Sequence, residues 1–250
     1  HGTHFETEAR LALLSLHERS RDWPAAMAVA LALEQAGSGS FAQRIAHYHC
    51  EIALEADADG RADAAAQALA AAQRAAPDAP RPLMLAGERA ARAGDAAGAL
   101  AAWDRVRLRD PALFALTAPA YAQAAIDAHR LDAARVALQA VYAADPRAEL
   151  LTALEALDTA TGSTPGATAR RLDHLGRRGD LDAAARVLEL DPAQWRPDTR
   201  PQLYAAVQRT ALRLQRYRCA ACGFEAQHHF WQCPGCQGWD TFPPRRQEST

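Results

Sequence analysis

The sequence predicts an all-α tetratricopeptide-repeat superhelix with a small C-terminal β module built on metal knuckles. Three observations carry this reading. A short pattern of polar turn, Asp-Ala-Ala, apolar helix and proline recurs along the chain. Alanine, the best helix former and small enough to let helices pack closely, supplies 63 of the 250 residues. Four of the five cysteines fall within 18 residues near the C-terminus, spaced C-x2-C-x10-C-x2-C.

The repeat is read from its turns. It opens at Gly60-Arg61-Ala62-Asp63-Ala64-Ala65 and runs to Pro77. It returns at Gly94-Asp95-Ala96-Ala97, ending at Asp110-Pro111, and at Arg130-Leu131-Asp132-Ala133-Ala134, ending at Asp145-Pro146. A fourth copy opens at Gly179-Asp180-Leu181-Asp182-Ala183-Ala184 and ends at Asp191-Pro192. The closing prolines are 34, 35 and 46 residues apart. The first two intervals match the tetratricopeptide period of ~34. The third predicts an insertion, placed at 159–166, where Thr, Gly, Ser and Pro cluster. A degenerate upstream copy has Asp22-Trp23-Pro24-Ala25-Ala26 opening its second helix, followed by a loop at 37–40.

Each part of the unit has a physical task. The turn aspartate is expected to cap the second helix by accepting from its free N–H groups. Proline is expected to end the pair, because it cannot continue a helix. First helices carry spaced apolar residues: Leu11 and Leu14; Ile45, Tyr48 and Ile52; Leu83, Leu85 and Ala90. No single pair can bury its apolar face, so stability must come from stacking. A further amphipathic helix is expected over 199–216, with Leu203, Val207, Leu212 and Leu214, its start marked by Pro197 and Pro201. The expected organisation is repeats over 1–198, truncated at the N-terminus, a capping or connector helix over 199–216, the metal module over 217–243 and a tail over 244–250.

Charge excludes some functions. The net charge is −2, so there is no broad electrostatic case for nucleic acid or an anionic membrane. All 28 basic residues are Arg, and Lys and Asn are absent, as a GC-rich genome produces; the arginines are therefore not read as phosphate binders. Arg170, Arg171, Arg177 and Arg178 form a local basic group, read as a solvated helix face or else a surface for an acidic partner. There is no apolar run of the ~20 residues needed to span a bilayer. The chain opens at His1 in what looks like the middle of a repeat array, so an N-terminal segment is expected to be missing.

Clustered cysteines read as metal ligation in a reducing compartment, whereas a disulfide framework would staple distant segments. Cys219, Cys222, Cys233 and Cys236 are the expected ligands of one tetrahedral ion, Zn or Fe, which four sulfurs accommodate equally. Gly223 follows the first knuckle, where a positive φ is often needed. Pro234 and Gly235 lie within the second, and Gly238 just after it. Tyr217, Phe224, Phe230, Trp231 and Trp239 flank the site, and metal and aromatics must supply the folding energy of so small a module. His228 and His229, between the knuckles, read as a solvated hairpin tip. Four thiolates leave no open position for water or substrate, so a structural ion is expected. Cys50 reads as a buried structural thiol. No Gly-rich phosphate loop, H-E-x-x-H or G-x-S-x-G pattern is present, and no enzymatic activity is expected.

The segment Tyr217-Arg218-Cys219-Ala220-Ala221-Cys222-Gly223-Phe224, with Trp231-Gln232-Cys233-Pro234-Gly235-Cys236 and Trp239-Asp240-Thr241, closely resembles the lipopolysaccharide assembly protein B family of Gram-negative bacteria. Ala46-His47-Tyr48-His49-Cys50-Glu51-Ile52-Ala53-Leu54 is similar to that family's central repeat. The resemblance implies a rubredoxin-like, zinc-ribbon module whose ligands are the four cysteines. It also implies an adaptor on the cytoplasmic face of the inner membrane, held there by an N-terminal helix absent from this chain. The implied partners are the deacetylase of the lipid A pathway, a membrane-anchored ATP-dependent protease of the FtsH type and an inner-membrane regulator. Two other functions stay open: a redox or metal-sensing module on a repeat scaffold, and a generic peptide-binding repeat protein.

Overall fold

A computed structural model describes residues 4–162, 164–243 and 247–248. The chain divides into two compact units, His1–Leu157 and Asp158–Thr250. Helical repeats and a small C-terminal β module are both present.

The first unit is a run of helices: α1 (His4–Ser20), α2 (Trp23–Gln35), α3 (Ala42–Ala58), α4 (Ala62–Ala75), α5 (Pro80–Arg92), α6 (Ala96–Arg109), α7 (Pro111–Asp127), α8 (Leu131–Ala144) and the start of α9 (Ala148–Thr161). The two helices of each pair are joined by one kind of turn. After α1, α3, α5 and α7 a residue takes a left-handed backbone: Arg21, Gly60, Gly94 and His129, with φ of 57°, 75°, 79° and 53°. The next N–H then reaches back five residues, as Asp22 to His17, Arg61 to Ala56, Asp95 to Ala90 and Arg130 to Ala125, at 2.8–3.0 Å. This satisfies a carbonyl the ending helix would leave free and reverses the chain.

The aspartate caps divide into two kinds. Asp22 accepts from the N–H of Ala25, Asp95 from Gly98 and Asp180 from Ala183, as expected. In α4 and α8 the cap position holds Arg61 and Arg130, which make no side-chain cap. Asp63 and Asp132 sit two residues further on, within the first turn, where they act only on the helix dipole. Proline likewise does more than end a pair. Asp110 closes α6 and caps α7 through Leu113, with Pro111 as the first residue of α7. The expected insertion at 159–166 is not an extra loop. α9 continues to Thr161, Gly162 turns with φ 71°, and α10 starts at Thr164; Ser163 lies outside the described residues. The longer third interval is made of helix.

Alanine fills much of the core, with large residues packed among it. Trp103 is fully buried against Leu83, Phe114 and their neighbours, and its indole N–H donates to the Met84 carbonyl at 3.2 Å. Gly87 lies beneath that ring, where any Cβ would overlap the indole. Trp23 stacks on Tyr48 at 6.0 Å, and Tyr48 donates to Glu18 at 2.6 Å. Cys50 is fully buried, as expected, and burial pushes its thiol up to about 11. Leu11, expected on a packed face, is exposed.

The second unit contains the end of α9, α10 (Thr164–Arg178), α11 (Leu181–Leu188), a 3-10 turn (Pro192–Gln194) and α12 (Thr199–Leu214). Leu172, Leu175, Ala183, Ala184, Val187, Leu203 and Ala206 form their shared core. α12 is shorter than the expected 199–216, because Gln215 and Arg216 already belong to a strand. Val207 is half exposed; the side chains of Leu212 and Leu214 lie outside the described residues. Then come β1 (Gln215–Arg218), β2 (Glu225–Ala226) and β3 (Gln247–Glu248), antiparallel in the order β2-β1-β3. The expected tail at 244–250 lies outside the described residues except for this last strand. Among the described residues no helix is long and apolar enough to cross a membrane.

The two kinds of aspartate make a prediction. Asp95→Ala removes a true cap and should cost about 1 kcal/mol. Asp63→Ala removes only a dipole contact and should cost a few tenths. Urea melts of the two variants check this, and equal losses would show that the distinction is wrong.

Candidate metal centre

The metal module starts from two short peptides that fold alike. In the first, the Cys219 N–H donates to the Phe224 carbonyl and the Gly223 N–H donates back to Cys219, both at 2.9 Å. In the second, Cys233 donates to Gly238 at 2.9 Å and Gln237 donates back to Cys233 at 2.8 Å. The offsets are the same in both, so the knuckles are copies of one backbone device. Each needs a left-handed residue directly after its second cysteine. Gly223 supplies it in the first, with φ 77°. In the second it is Gln237, with φ 58°, and neither Gly235 nor Gly238. Those glycines serve close approach: a Cβ on Gly235 would press on Phe224, and one on Gly238 would press on Thr241.

Pairing of β1 with β2 holds the first knuckle, through Tyr217 opposite Ala226 and Arg218 opposite Glu225. A bridge between Gln232 and Trp239 holds the second. The Ala220 N–H donates to the Thr241 carbonyl at 2.8 Å and ties the two together. The four sulfurs of Cys219, Cys222, Cys233 and Cys236 then lie within 4.8 Å of one another. Cys219 and Cys233 are buried, whereas Cys222 and Cys236 are exposed.

Four thiols this close do not ionise independently. The Thr241 hydroxyl, with help from the N–H groups of Cys222 and Ala221, pulls the Cys219 thiol down to about 6. The Phe224 N–H favours ionisation of Cys222, but partial desolvation and the neighbouring thiols of Cys236, Cys219 and Cys233 outweigh it and push that thiol up to about 12. A divalent cation removes the conflict, since a coordinated thiol is deprotonated outright. Convergent soft donors, N–H groups aimed at sulfur and competing thiols together fit a thiophilic ion. The module is a rubredoxin-like zinc ribbon with four cysteines positioned to bind one metal ion.

Thr241 and Arg218 went unassigned in the sequence reading. Thr241 acts on Cys219 directly, and the Arg218 guanidinium lies along the first knuckle at Gly223. A hydroxyl five residues past the last cysteine gives no signal until the fold returns it to the first. His228 is exposed, as a hairpin tip would be. His229 is not: its ring meets Tyr217, Trp231 and Phe242 edge-on at 5.2–6.2 Å, and its Nε2 lies 3.1 Å from the Phe242 carbonyl. It is part of the module's packing and not of the sulfur cluster. Of the flanking aromatics, Trp231 and Trp239 are 70% and 67% exposed, so they contribute little to the core.

The arginine group on α10 is largely paired within its own unit. Arg170 meets the buried Asp158, Arg171 meets Glu189 at 3.0 Å and the Arg186 carbonyl at 3.2 Å, and Arg178 meets Asp180 at 3.2 Å. Arg170 is therefore no solvated cation.

Residues 217–244 match the family described as Rubredoxin metal binding domain. The chain is similar to Lipopolysaccharide assembly protein B of Escherichia coli strain K12, with 27% identity over 251 residues covering 98% of this chain and 64% of that protein. The proteins of the same name from E. coli O6:H1 and O157:H7 match with the same identity and coverage. The chain thus spans 64% of the length of the curated relatives it matches.

Two variants test this geometry. Cys233→Ser should abolish stoichiometric metal binding and unfold the module, because a three-sulfur site remains; unchanged melting with one metal per chain would contradict it. Gln237→Gly should stabilise the second knuckle by about 0.5–1 kcal/mol, since relief of left-handed strain exceeds the added unfolded-state entropy. Slower metal loss to a chelator is the expected readout, and faster loss would refute the strain argument.

Proposed function

We propose that this chain is a non-enzymatic adaptor that restrains lipopolysaccharide synthesis at the cytoplasmic face of the bacterial inner membrane. It brings the deacetylase of the lipid A pathway to a membrane-anchored protease of the FtsH type for degradation, and it also contacts an inner-membrane regulator. One observation carries the reading. The likeness to Lipopolysaccharide assembly protein B covers 98% of the chain and so includes helical repeats and metal module together. The name of those relatives describes assembly and no catalysed reaction.

The structure supports a division of labour. Helical repeats present extended surfaces from their first helices, suited to holding a protein client. Cys219, Cys222, Cys233 and Cys236 hold one zinc or iron ion, which keeps the module in shape. Four thiolates fill a tetrahedral sphere and leave no place for substrate, which favours a structural ion over a catalytic one.

Affinity capture on the whole chain in its native host is the test. The deacetylase and the protease should both be recovered, and a chain lacking 1–200 should lose them. Recovery of neither by the whole chain would sink the adaptor reading. Recovery of both by the C-terminal module alone would move client binding from the repeats to the metal module.

A further inference from the structure

The four cysteines differ in a way that metal binding does not require. Sulfur contacts at 3.6 Å, between Cys222 and Cys233, and at 3.8 Å, between Cys219 and Cys236, run from one knuckle to the other. Each joins an exposed cysteine to a buried one. An oxidant from solvent meets Cys222 or Cys236 first, and each has a buried neighbour in contact behind it. An exposed cysteine backed by a second thiol is the arrangement that turns a sulfenic acid into a disulfide before further oxidation.

We propose that the metal centre is an oxidation site at which peroxide exchanges the metal crosslink for disulfides between the knuckles, Cys222 with Cys233 and Cys219 with Cys236. This rests on the reading of the four cysteines as ligands of one ion. The step balances. The Cys222 thiolate attacks hydrogen peroxide, the O–O bond breaks, and with one proton from solvent this gives Cys222 sulfenic acid and water. The Cys233 thiolate attacks that sulfur, and the hydroxyl leaves as a second water with another solvent proton. Two sulfurs have lost two electrons and one peroxide has gained them. The ion leaves in its original charge state, since two remaining thiolates no longer enclose it. A second peroxide oxidises Cys219 and Cys236 in the same way. The sulfurs need close only from 3.6–3.8 Å to the ~2.05 Å of a disulfide, so both knuckles keep their places.

The consequence separates this from ordinary oxidative damage. Bonds within a C-x-x-C would leave the knuckles unlinked, and the module would come apart. Bonds between knuckles keep it closed without metal. Cys50, buried and far from the ionised form, is an internal control.

The test uses the whole chain loaded with zinc, a metal that peroxide does not oxidise. Hydrogen peroxide is titrated while zinc release is followed with a chromogenic chelator. Cleavage after Glu225 without reductant then separates the knuckle peptides unless a disulfide joins them. The expected result is loss of zinc from one per chain to none at about two peroxides per chain, with the knuckle peptides joined and Cys50 still reduced. A dithiol reductant with added zinc should reverse all of it. Separate knuckle peptides, each with its own disulfide, would overturn the proposal, as would sulfinic acid products or retained zinc. A chain that binds no zinc before peroxide is added would overturn the ligand reading itself and this proposal with it.

Discussion

One backbone constraint recurs in both parts of this chain: a residue in the left-handed region at the turn inside each helix pair and at the close of each knuckle. In the first unit Arg21, Gly60, Gly94 and His129 hold it, and each lets the following N–H recover a carbonyl from the helix just ended. In the second unit Gly179 turns α10 toward α11, and Gly223 and Gln237 close the two knuckles. The constraint is local, but its effect is not. It fixes the short distance between paired helices, and so which faces meet. In the module it brings each second cysteine beside its first.

Packing follows from that short distance. Helices joined by two or three residues must lie close, and alanine permits this where leucine would hold them apart. The first unit accordingly sets some of its large side chains against small ones. Trp103 over Gly87 is the clearest case: the glycine is demanded by the ring above it, while its own backbone is ordinary helix. Phe114 and Tyr121 meet edge-on at 5.1 Å within the same core, and the Tyr121 hydroxyl reaches Asp104 at 3.2 Å. Polar tips thus find partners at the edge of an otherwise apolar layer, as buried hydroxyls require.

Helical repeats, their period and the cysteine cluster were legible in the sequence because each depends on residue type at fixed spacing. What depends on backbone angle was not. Arg21 and His129 occupy the same turn as Gly60 and Gly94, yet nothing in an arginine or a histidine announces a positive φ. Gln237 hid the second knuckle's turn for the same reason, and two nearby glycines drew attention away from it. Capping failed where a shift of two residues matters: Asp63 and Asp95 look alike in sequence, but only Asp95 stands at the cap position. The 159–166 segment has loop composition and is mostly helix, since one glycine at 162 suffices for the turn. Thr241 and His229 act through contacts that exist only once the ribbon has closed.

The module's own core decides what the ion is for. Its buried residues are Cys219, Cys233 and Phe242, with Tyr217 and Ala226 packed against them. Two of the three are members of the sulfur cluster, so the apolar core and the metal site are the same object. Burial of one phenylalanine stabilises by roughly 1.5–3 kcal/mol, far too little to order some thirty residues. A crosslink between the knuckles must provide the rest. The ion is thus not an accessory to a folded surface but the condition for having one. Any partner that touches this module senses whether that crosslink is present. Four cysteines positioned round one ion suit it to holding shape, and the exposed Cys222 and Cys236 are where the proposed oxidation would begin.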